Sequence, residues 1–117
     1  VPELNKETRF YALAGADANN SPVLESMNRS MQKHQLDTLC LPLETSYLEE
    51  LMPILDELRI KGVQLEDPLK HQAIEKFADK GLDAGESLFL EVSQNLEKKA
   101  FRLLPMSGEE FLEKVHG

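Results

Sequence analysis

Short apolar runs alternate three times along this chain with longer segments in which apolar residues recur every three or four positions. The first run, Thr8–Ala14, ends at Gly15, and the next two runs are Thr38–Leu43 and Val63–Leu65. Short runs of this kind favour strands, and the longer spacing favours helices. Because repeated strand–helix units place helices on both faces of a parallel sheet, we predict a three-layer α/β sandwich with a mostly parallel sheet.

Serine and proline residues mark where the first two helices begin. Ser21 followed by Pro22 is typical of an N-cap with proline at the first helical position, and this helix is predicted to reach about Gln35. Ser46 and Glu49 match the spacing of a capping box at the start of the second helix. The sequence therefore predicts side-chain caps at both helix starts.

Proline and glycine set the remaining helix boundaries. Pro53 lies within the apolar pattern of the second helix and is predicted to kink it or to separate its first turn. Lys61 and Gly62 are predicted to end that helix. Pro68 is predicted to begin the third helix, and Gly81 to end it.

The pattern changes after the third helix. Ser87–Val92 and Lys99–Leu104 are strand-like runs, and the polar residues Ser93–Lys98 predict a six-residue link in a late antiparallel hairpin. Ser107 and Glu110 match a second capping box, which opens a final helix. The apolar residues of these elements give the predicted core: Phe10, Ala12, Leu39, Leu41, Leu51, Leu55, Val63, Leu65, Ile74, Phe77, Phe89, Phe101 and Leu103.

Length, charge and cysteine content narrow the class of protein. The 117 residues predict one domain spanning 1–117. The net charge of −8 repels phosphate backbones and anionic lipid, so we expect neither nucleic acid nor a membrane surface as a partner. No apolar run approaches the length of a membrane span, and no signal peptide is visible. The single cysteine, Cys40, fits a reducing compartment, and we expect a cytoplasmic protein.

The histidines, the cysteine and the loop after the first strand do not predict a metal site, a nucleophile or a phosphate-binding loop. His34, His71 and His116 are scattered without further ligands at metal-binding spacing, so we expect surface histidines and no metal site. Cys40 lies in a predicted strand between leucines, which indicates a buried and unreactive thiol. The loop Gly15–Asn20 lacks the glycine spacing and the lysine of a phosphate-binding loop.

Two candidate site residues remain, each with an alternative. Ser21 offers a hydroxyl and helix-start N–H groups to a small anion, although an N-cap serine needs no ligand. Lys70 follows a predicted strand at a helix start and could act as an acid or base, or it could be a solvated lysine paired with Glu66. Because the carboxyl ends of parallel strands share one edge, we expect both residues there.

Taken together, these segments resemble the substrate-binding N-terminal domain of the shikimate dehydrogenase family. That family has a strand ending in glycine, a loop closing in Ser-x-Ser-Pro, and later Lys-Gly-x-Asn-Val-Thr-x-Pro-x-Lys. Here the strand ends at Gly15, the loop closes in Ser21–Pro22, and the second motif falls on Lys61–Lys70. The resemblance extends from Arg9 to about Val115 and implies the fold of that domain, including its late antiparallel strands.

The resemblance also implies roles for individual residues. Ser21 matches the serine that binds the substrate carboxylate, and Lys70 matches the catalytic lysine. Asn19, Gln64 and Glu66 stand at substrate-binding positions that the family fills with serine, asparagine and threonine. The implied ligand is a small carboxylate such as shikimate, and the implied activity is the NADP-dependent reduction of 3-dehydroshikimate in the shikimate pathway of aromatic amino acid biosynthesis.

Departures from the family motifs predict a degenerate site. The family's later binding asparagine becomes Leu88 and its catalytic aspartate becomes Met106, and neither side chain can orient a polyhydroxylated acid. We therefore expect weak or lost shikimate binding. The alternative is a non-catalytic binding or protein-interaction module that keeps the fold.

No Gly-x-Gly-x-x-Gly pattern occurs, so we expect no cofactor to be held by this chain and no hydride transfer by it alone. The resemblance implies an oxidoreductase with NADP only if a Rossmann domain follows Gly117. The chain is then either an excised domain or a free-standing relative, and its oligomeric state stays open.

Overall fold

A computed structural model describes residues 9–33, 37–77, 81–83, 85–95 and 98–116. Strands and helices alternate as the sequence predicts, with a hairpin and a helix at the end. In chain order the elements are β1 Arg9–Gly15, a 3-10 turn Ala18–Asn20, α1 Pro22–Lys33, β2 Thr38–Glu44, α2 Leu48–Glu57, β3 Ile60–Leu65, α3 Leu69–Phe77, β4 Leu88–Asn95, β5 Lys98–Leu104 and α4 Gly108–His116.

The five strands form one mixed sheet in the order β2-β1-β3-β4-β5. β1 pairs in parallel with β2 on one side and with β3 on the other, so Tyr11 lies beside both Cys40 and Gly62. β4 pairs antiparallel with β3, and β5 pairs antiparallel with β4. The predicted parallel sheet with a late antiparallel hairpin is confirmed.

Helices cover both faces of this sheet, which confirms the three-layer sandwich. Side chains alternate along β1, so Ala12 and Ala14 face one helix layer while Tyr11 and Leu13 face the other. The first layer, the α2/α3 face, buries Leu48, Leu51, Leu55, Leu69 and Ala73 against the sheet. The second layer, the α1/α4 face, buries Met27, Met31, Phe111 and Leu112.

The predicted core describes the α2/α3 face better than the α1/α4 face. Most predicted residues are buried or packed at the margin of the first cluster, where Phe77 and Phe101 lie with ring centroids 6.0 Å apart. The buried residues Tyr11, Leu13 and Met27 of the second cluster were not predicted. A central parallel strand buries both of its faces, so choosing alternate residues on β1 captures only half of its contribution.

Three aromatic rings form the centre of the α1/α4 face. The Phe89 and Phe111 rings stack with centroids 4.4 Å apart, and Tyr11 lies 6.4 Å from Phe89 and 6.3 Å from Phe111. Gly62 makes this packing possible, because a Cβ there would lie 2.4 Å from Cζ of Phe89. The absence of a side chain on Gly62 is therefore a packing requirement.

The prediction that Lys61 and Gly62 end the second helix is wrong. α2 ends at Glu57, and both residues lie inside β3. The chain turns at Arg59, whose φ of 54° is in the left-handed region that glycine usually provides at a helix end. Arg59 ends the helix in place of glycine, while Gly62 serves the aromatic packing inside the strand.

Helix starts are capped as predicted at α1 and α4 but not at α2. The Val23 N–H donates to the Ser21 hydroxyl at 3.2 Å, and the Glu110 N–H donates to the Ser107 hydroxyl at the same distance. At α2 the N-cap is Tyr47, which makes no side-chain cap, so the predicted Ser46 box is wrong.

A distant residue replaces the missing cap on α2. Gln72 of α3 accepts from the Leu48 N–H through Oε1 at 2.7 Å and donates through Nε2 to the Ser46 carbonyl at 2.8 Å. α2 continues through Pro53, so its first turn is not separated. Contact with a neighbouring helix therefore holds this helix start.

Two predicted boundaries extend beyond the described residues, and one is corrected. The predicted helix end at Gln35 lies outside the described ranges, and so do residues 78–80, between Phe77 and the predicted helix end at Gly81. The predicted six-residue link of the hairpin is wrong, because β4 and β5 stay paired as far as Asn95 and Lys98.

Among the described residues, no helix is long and apolar enough to cross a membrane.

The variant Gly62→Ala tests the aromatic packing. The new methyl group would overlap the Phe89 ring, and we expect the free energy of unfolding to fall by about 1–3 kcal/mol in urea denaturation. Gly85→Ala is the matched control, because a Cβ there meets only the Asp83 carboxylate at 3.5 Å or more, and it should change stability by less than about 0.5 kcal/mol. Equal stability of the two variants would contradict the packing argument.

Candidate functional site

The carboxyl ends of the three parallel strands meet at one edge of the sheet. Gly15 of β1 lies beside Glu44 of β2, and Ala14 lies beside Leu65 of β3. The segments that follow these three strands form what we call the carboxyl edge. Open α/β sheets bind their ligands at such an edge, which is where the sequence places Ser21 and Lys70.

Close backbone contact joins the segments after β1 and β3. The Glu66 N–H donates to the Ala14 carbonyl at 2.8 Å, and the Ala16 N–H donates to the Asp67 carbonyl at 3.2 Å. A Cβ on Gly15 would lie only 2.9 Å from Cβ of Glu66. Glycine at the end of β1 therefore allows Glu66 to approach the start of α1.

Ser21 and Glu66 are brought into direct contact. The Ser21 hydroxyl donates to Oε2 of Glu66 at 3.1 Å and accepts from the Val23 N–H at 3.2 Å. Ser21 is therefore the N-cap that its sequence context predicts, and its hydroxyl proton is already bound to a carboxylate of the protein.

Lys70 has a different partner from the one expected. Its Nζ donates to the Glu86 carbonyl at 3.2 Å, and among the described residues it forms no ion pair with Glu66 within 4.0 Å. The predicted Lys70–Glu66 pair is wrong. Glu66 and the next two residues precede α3, which begins at Leu69, so Glu66 and Lys70 do not share a helical turn.

Gln64 and Asn19 stabilise neighbouring segments. Gln64 is only 6% exposed, and its Oε1 accepts from the Gly108 N–H at 2.8 Å, at the start of α4. The Asn19 N–H donates to the Glu44 carboxylate at 3.2 Å. The sequence contains no local signal for the Gln64 contact, because its partner lies 44 residues away.

Leu88 and Met106, which stand where the resembling family has a binding asparagine and a catalytic aspartate, both pack against other apolar residues. Leu88 is fully buried on the α2/α3 face, and Met106 packs at the margin of the α1/α4 face. Cys40 is also buried there, and burial raises the pKa of its thiol to about 12. The thiol of Cys40 is therefore protonated at neutral pH, as expected for an unreactive cysteine.

Acidic side chains dominate the carboxyl edge. Glu44 is the last residue of β2, and Glu66 and Asp67 follow β3 directly. Asp17 lies in the turn after β1, where its carboxylate accepts from the Asn20 side chain at 2.8 Å. Within the described residues, no three His, Cys, Asp or Glu side chains are grouped so that they could hold a metal ion. Of the three histidines, His71 is exposed, His34 is outside the described residues and the His116 side chain is not described.

The loop after β1 does not fit the pyrophosphate of a nicotinamide cofactor. Such a loop needs glycines that let its backbone N–H groups approach the phosphates. Here Gly15 is covered by Glu66 and Asp67, and the loop continues through the acidic Asp17. The loop after β1 is therefore unsuited to hold a dinucleotide.

No family model and no curated protein sequence matches the chain. Several solved structures have the same fold. Shikimate dehydrogenase from Aquifex aeolicus superposes with a TM-score of 0.59 and 20% identity over 79% of this chain and 36% of that one. Shikimate 5-dehydrogenase from Listeria monocytogenes, solved with shikimate and NAD, superposes with a TM-score of 0.63 and 19% identity over 80% of this chain and 34% of that one. Shikimate dehydrogenase 1 from Peptoclostridium difficile superposes with a TM-score of 0.59 and 19% identity over 91% of this chain and 40% of that one.

These superpositions confirm the resemblance at the level of the fold. The chain spans between about a third and two fifths of the length of these enzymes. It therefore has the α/β architecture of one part of a shikimate dehydrogenase.

The variant Ser21→Ala tests the contact between α1 and Glu66. It removes the acceptor of the Val23 N–H and one donor to the Glu66 carboxylate, so we expect a loss of about 1 kcal/mol in urea denaturation. Ser87→Ala is the control, because Ser87 is exposed and its hydroxyl bonds to no described residue; its effect should stay below about 0.5 kcal/mol. A Ser21 variant as stable as this control would contradict the cap.

Proposed function

We propose that this chain is a relative of the substrate-binding domain of shikimate dehydrogenases and that its carboxyl edge has lost effective shikimate binding. The hydrogen bond of 3.1 Å from the Ser21 hydroxyl to the Glu66 carboxylate carries this proposal. The resemblance assigns Ser21 to the substrate carboxylate, and here a carboxylate of the protein takes that donor. A ligand would have to displace Glu66 first, and the displacement reduces its affinity.

Electrostatics at the carboxyl edge supports the same conclusion. Glu44, Glu66 and Asp67 would each repel a ligand carboxylate, while Lys70 would attract it. Lys70 already donates to the Glu86 carbonyl. The balance of charge near Ser21 is therefore unfavourable for an anion.

The acid–base pair of side chains that the reduction of a ketone would need is also incomplete. Met106 stands where the resemblance places the aspartate partner of Lys70, and a thioether accepts no proton at neutral pH. We therefore propose that Lys70, Ser21, Asn19, Gln64 and Glu66 mark the ancestral site without forming a working one. Hydride transfer would require NADP held by a Rossmann domain outside these residues, and we propose no cofactor for this chain.

A non-catalytic interaction module is the second candidate. The side chain of Tyr47 is 63% exposed beside a cavity of about 780 Å³ between the start of α2 and α3. Neither Ser21 nor Lys70 lines that cavity. Exposed aromatic side chains are common at protein interfaces, and Tyr47 favours a partner that binds beside the start of α2, apart from Ser21 and Lys70.

Calorimetric titration with shikimate and with quinate tests the proposal. We expect dissociation constants weaker than about 1 mM for both acids, which corresponds to a binding free energy of only about −4 kcal/mol. Micromolar binding that disappears in Lys70→Ala would overturn the proposal and restore a working substrate site.

A pair of charge-matched variants tests the role of Glu66. Glu66→Gln removes the carboxylate from Ser21 and one negative charge, and we expect shikimate affinity to rise at least about tenfold. Glu86→Gln is the control, because the exposed Glu86 side chain forms no hydrogen bond or ion pair with a described residue and its substitution removes the same charge. Equal affinities of the two variants would show that Glu66 is not what closes the site.

A further inference from the structure

The opposite end of the parallel strands has a cavity of its own. We call the end marked by Arg9, Thr38 and Ile60 the amino edge, because β1, β2 and β3 begin there. β1 has seven residues, so the two edges lie about 20 Å apart. A cavity of about 310 Å³ opens at the amino edge, on the α1/α4 face, and Tyr11 and Phe111 line it.

Apolar groups form the floor and one wall of this cavity. The Tyr11 and Phe111 rings, with centroids 6.3 Å apart, belong to the packed aromatic cluster and are held in place by it. Val115, on the last turn of α4, lines the cavity with 52% of its surface exposed. The apolar part of a small ligand would cover this valine.

The Tyr11 hydroxyl is accessible from the cavity and has no hydrogen-bond partner among the described residues. Tyr11 is 4% exposed, lines the cavity, and forms no hydrogen bond with any residue that the structure describes. Among the described residues, the buried side-chain atom without a partner is Oγ1 of Thr38, so the Tyr11 oxygen is not enclosed and a ligand in the cavity can reach it. Burial raises the pKa of Tyr11, so the hydroxyl stays protonated and available as a donor.

Three charged side chains line the same cavity as this hydroxyl. Arg9, Lys61 and Glu91 all line the cavity, and within the described residues none of them forms an ion pair within 4.0 Å. Arg9 and Glu91 act on the Tyr11 hydroxyl in opposite directions, since the cation lowers its pKa and the carboxylate raises it. Two cations face one carboxylate, so positive charge predominates at this cavity in a chain with a net charge of −8.

We propose that the cavity at the amino edge binds a small carboxylate with an apolar body. The carboxylate accepts from the Tyr11 hydroxyl and from Arg9, with Lys61 adding attraction at the rim. The apolar body lies against Phe111 and Val115. This site uses no residue of the carboxyl edge and is independent of the function proposed for that edge.

Titration with 3-phenylpropionate, followed by NMR, tests the site. We expect saturable binding to the unmodified chain, with the largest shift changes around Tyr11 and Val115. Tyr11→Phe keeps the ring and removes the hydroxyl, and Arg9→Gln removes the cation, so each should weaken binding at least about tenfold. Arg29→Gln is the matched control, because Arg29 is exposed on α1 in a surface pair with Glu25. This variant should bind 3-phenylpropionate with unchanged affinity.

Three further measurements test whether the cavity recognises the carboxylate of the ligand and whether binding occurs at this cavity. Glu91→Gln removes the opposing charge and should strengthen 3-phenylpropionate binding, and the uncharged 3-phenylpropanol should bind at least about tenfold more weakly than the acid. Shift changes around Tyr11 and Val115, without changes around Ser21, distinguish this cavity from the carboxyl edge. The proposal is overturned if no saturation is reached by about 10 mM, if the Arg9 and Tyr11 variants bind normally, or if Glu91→Gln weakens binding.

Discussion

Pairing of β1 on both of its edges is the constraint on which the rest of the structure depends. Hydrogen bonds to β2 and β3 leave Ala12, Leu13 and Ala14 with no exposed surface. A parallel strand in that position must be covered on both faces, and the two pairs of helices supply the cover. The same pairing gathers three carboxyl ends at one edge and three amino ends at the other, so it separates the candidate site from the cavity around Tyr11.

At the carboxyl edge, the backbone determines which chemistry is possible. The segment after β3 runs against Gly15, and the hydrogen bond from the Glu66 N–H to Ala14 fixes Glu66 beside the start of α1. Whatever side chain stands at position 66 therefore lies next to the Ser21 hydroxyl. A short neutral side chain there would leave that hydroxyl free for a ligand, whereas a carboxylate competes with the ligand for it. In the proposed function, the residue type at position 66 is therefore one of the determinants of whether this edge accepts an anion.

The sequence predicts features that depend on a few consecutive residues. The alternation of strands and helices and the caps at Ser21 and Ser107 are confirmed, because each signal lies within one short window. Prediction fails where the partner is distant in the chain: Gln72 bonds the start of α2, Gln64 bonds the start of α4, and Gly62 accommodates an aromatic ring from β4. Topology alone was enough to predict the edge at which Ser21 belongs, but its partner depends on side-chain approach that spacing does not encode.

Net charge describes the chain as a whole and does not determine the behaviour of either edge. Electrostatic interactions in salt solution decay over about 8–10 Å, whereas the two edges lie about 20 Å apart. A small anion at the amino edge would therefore be governed by Arg9, Lys61 and the opposing Glu91, with little repulsion from the acidic residues at the other end. A long polyanion would extend across both edges and meet the acidic one. For this reason a chain with a net charge of −8 can repel nucleic acid and still bind one carboxylate.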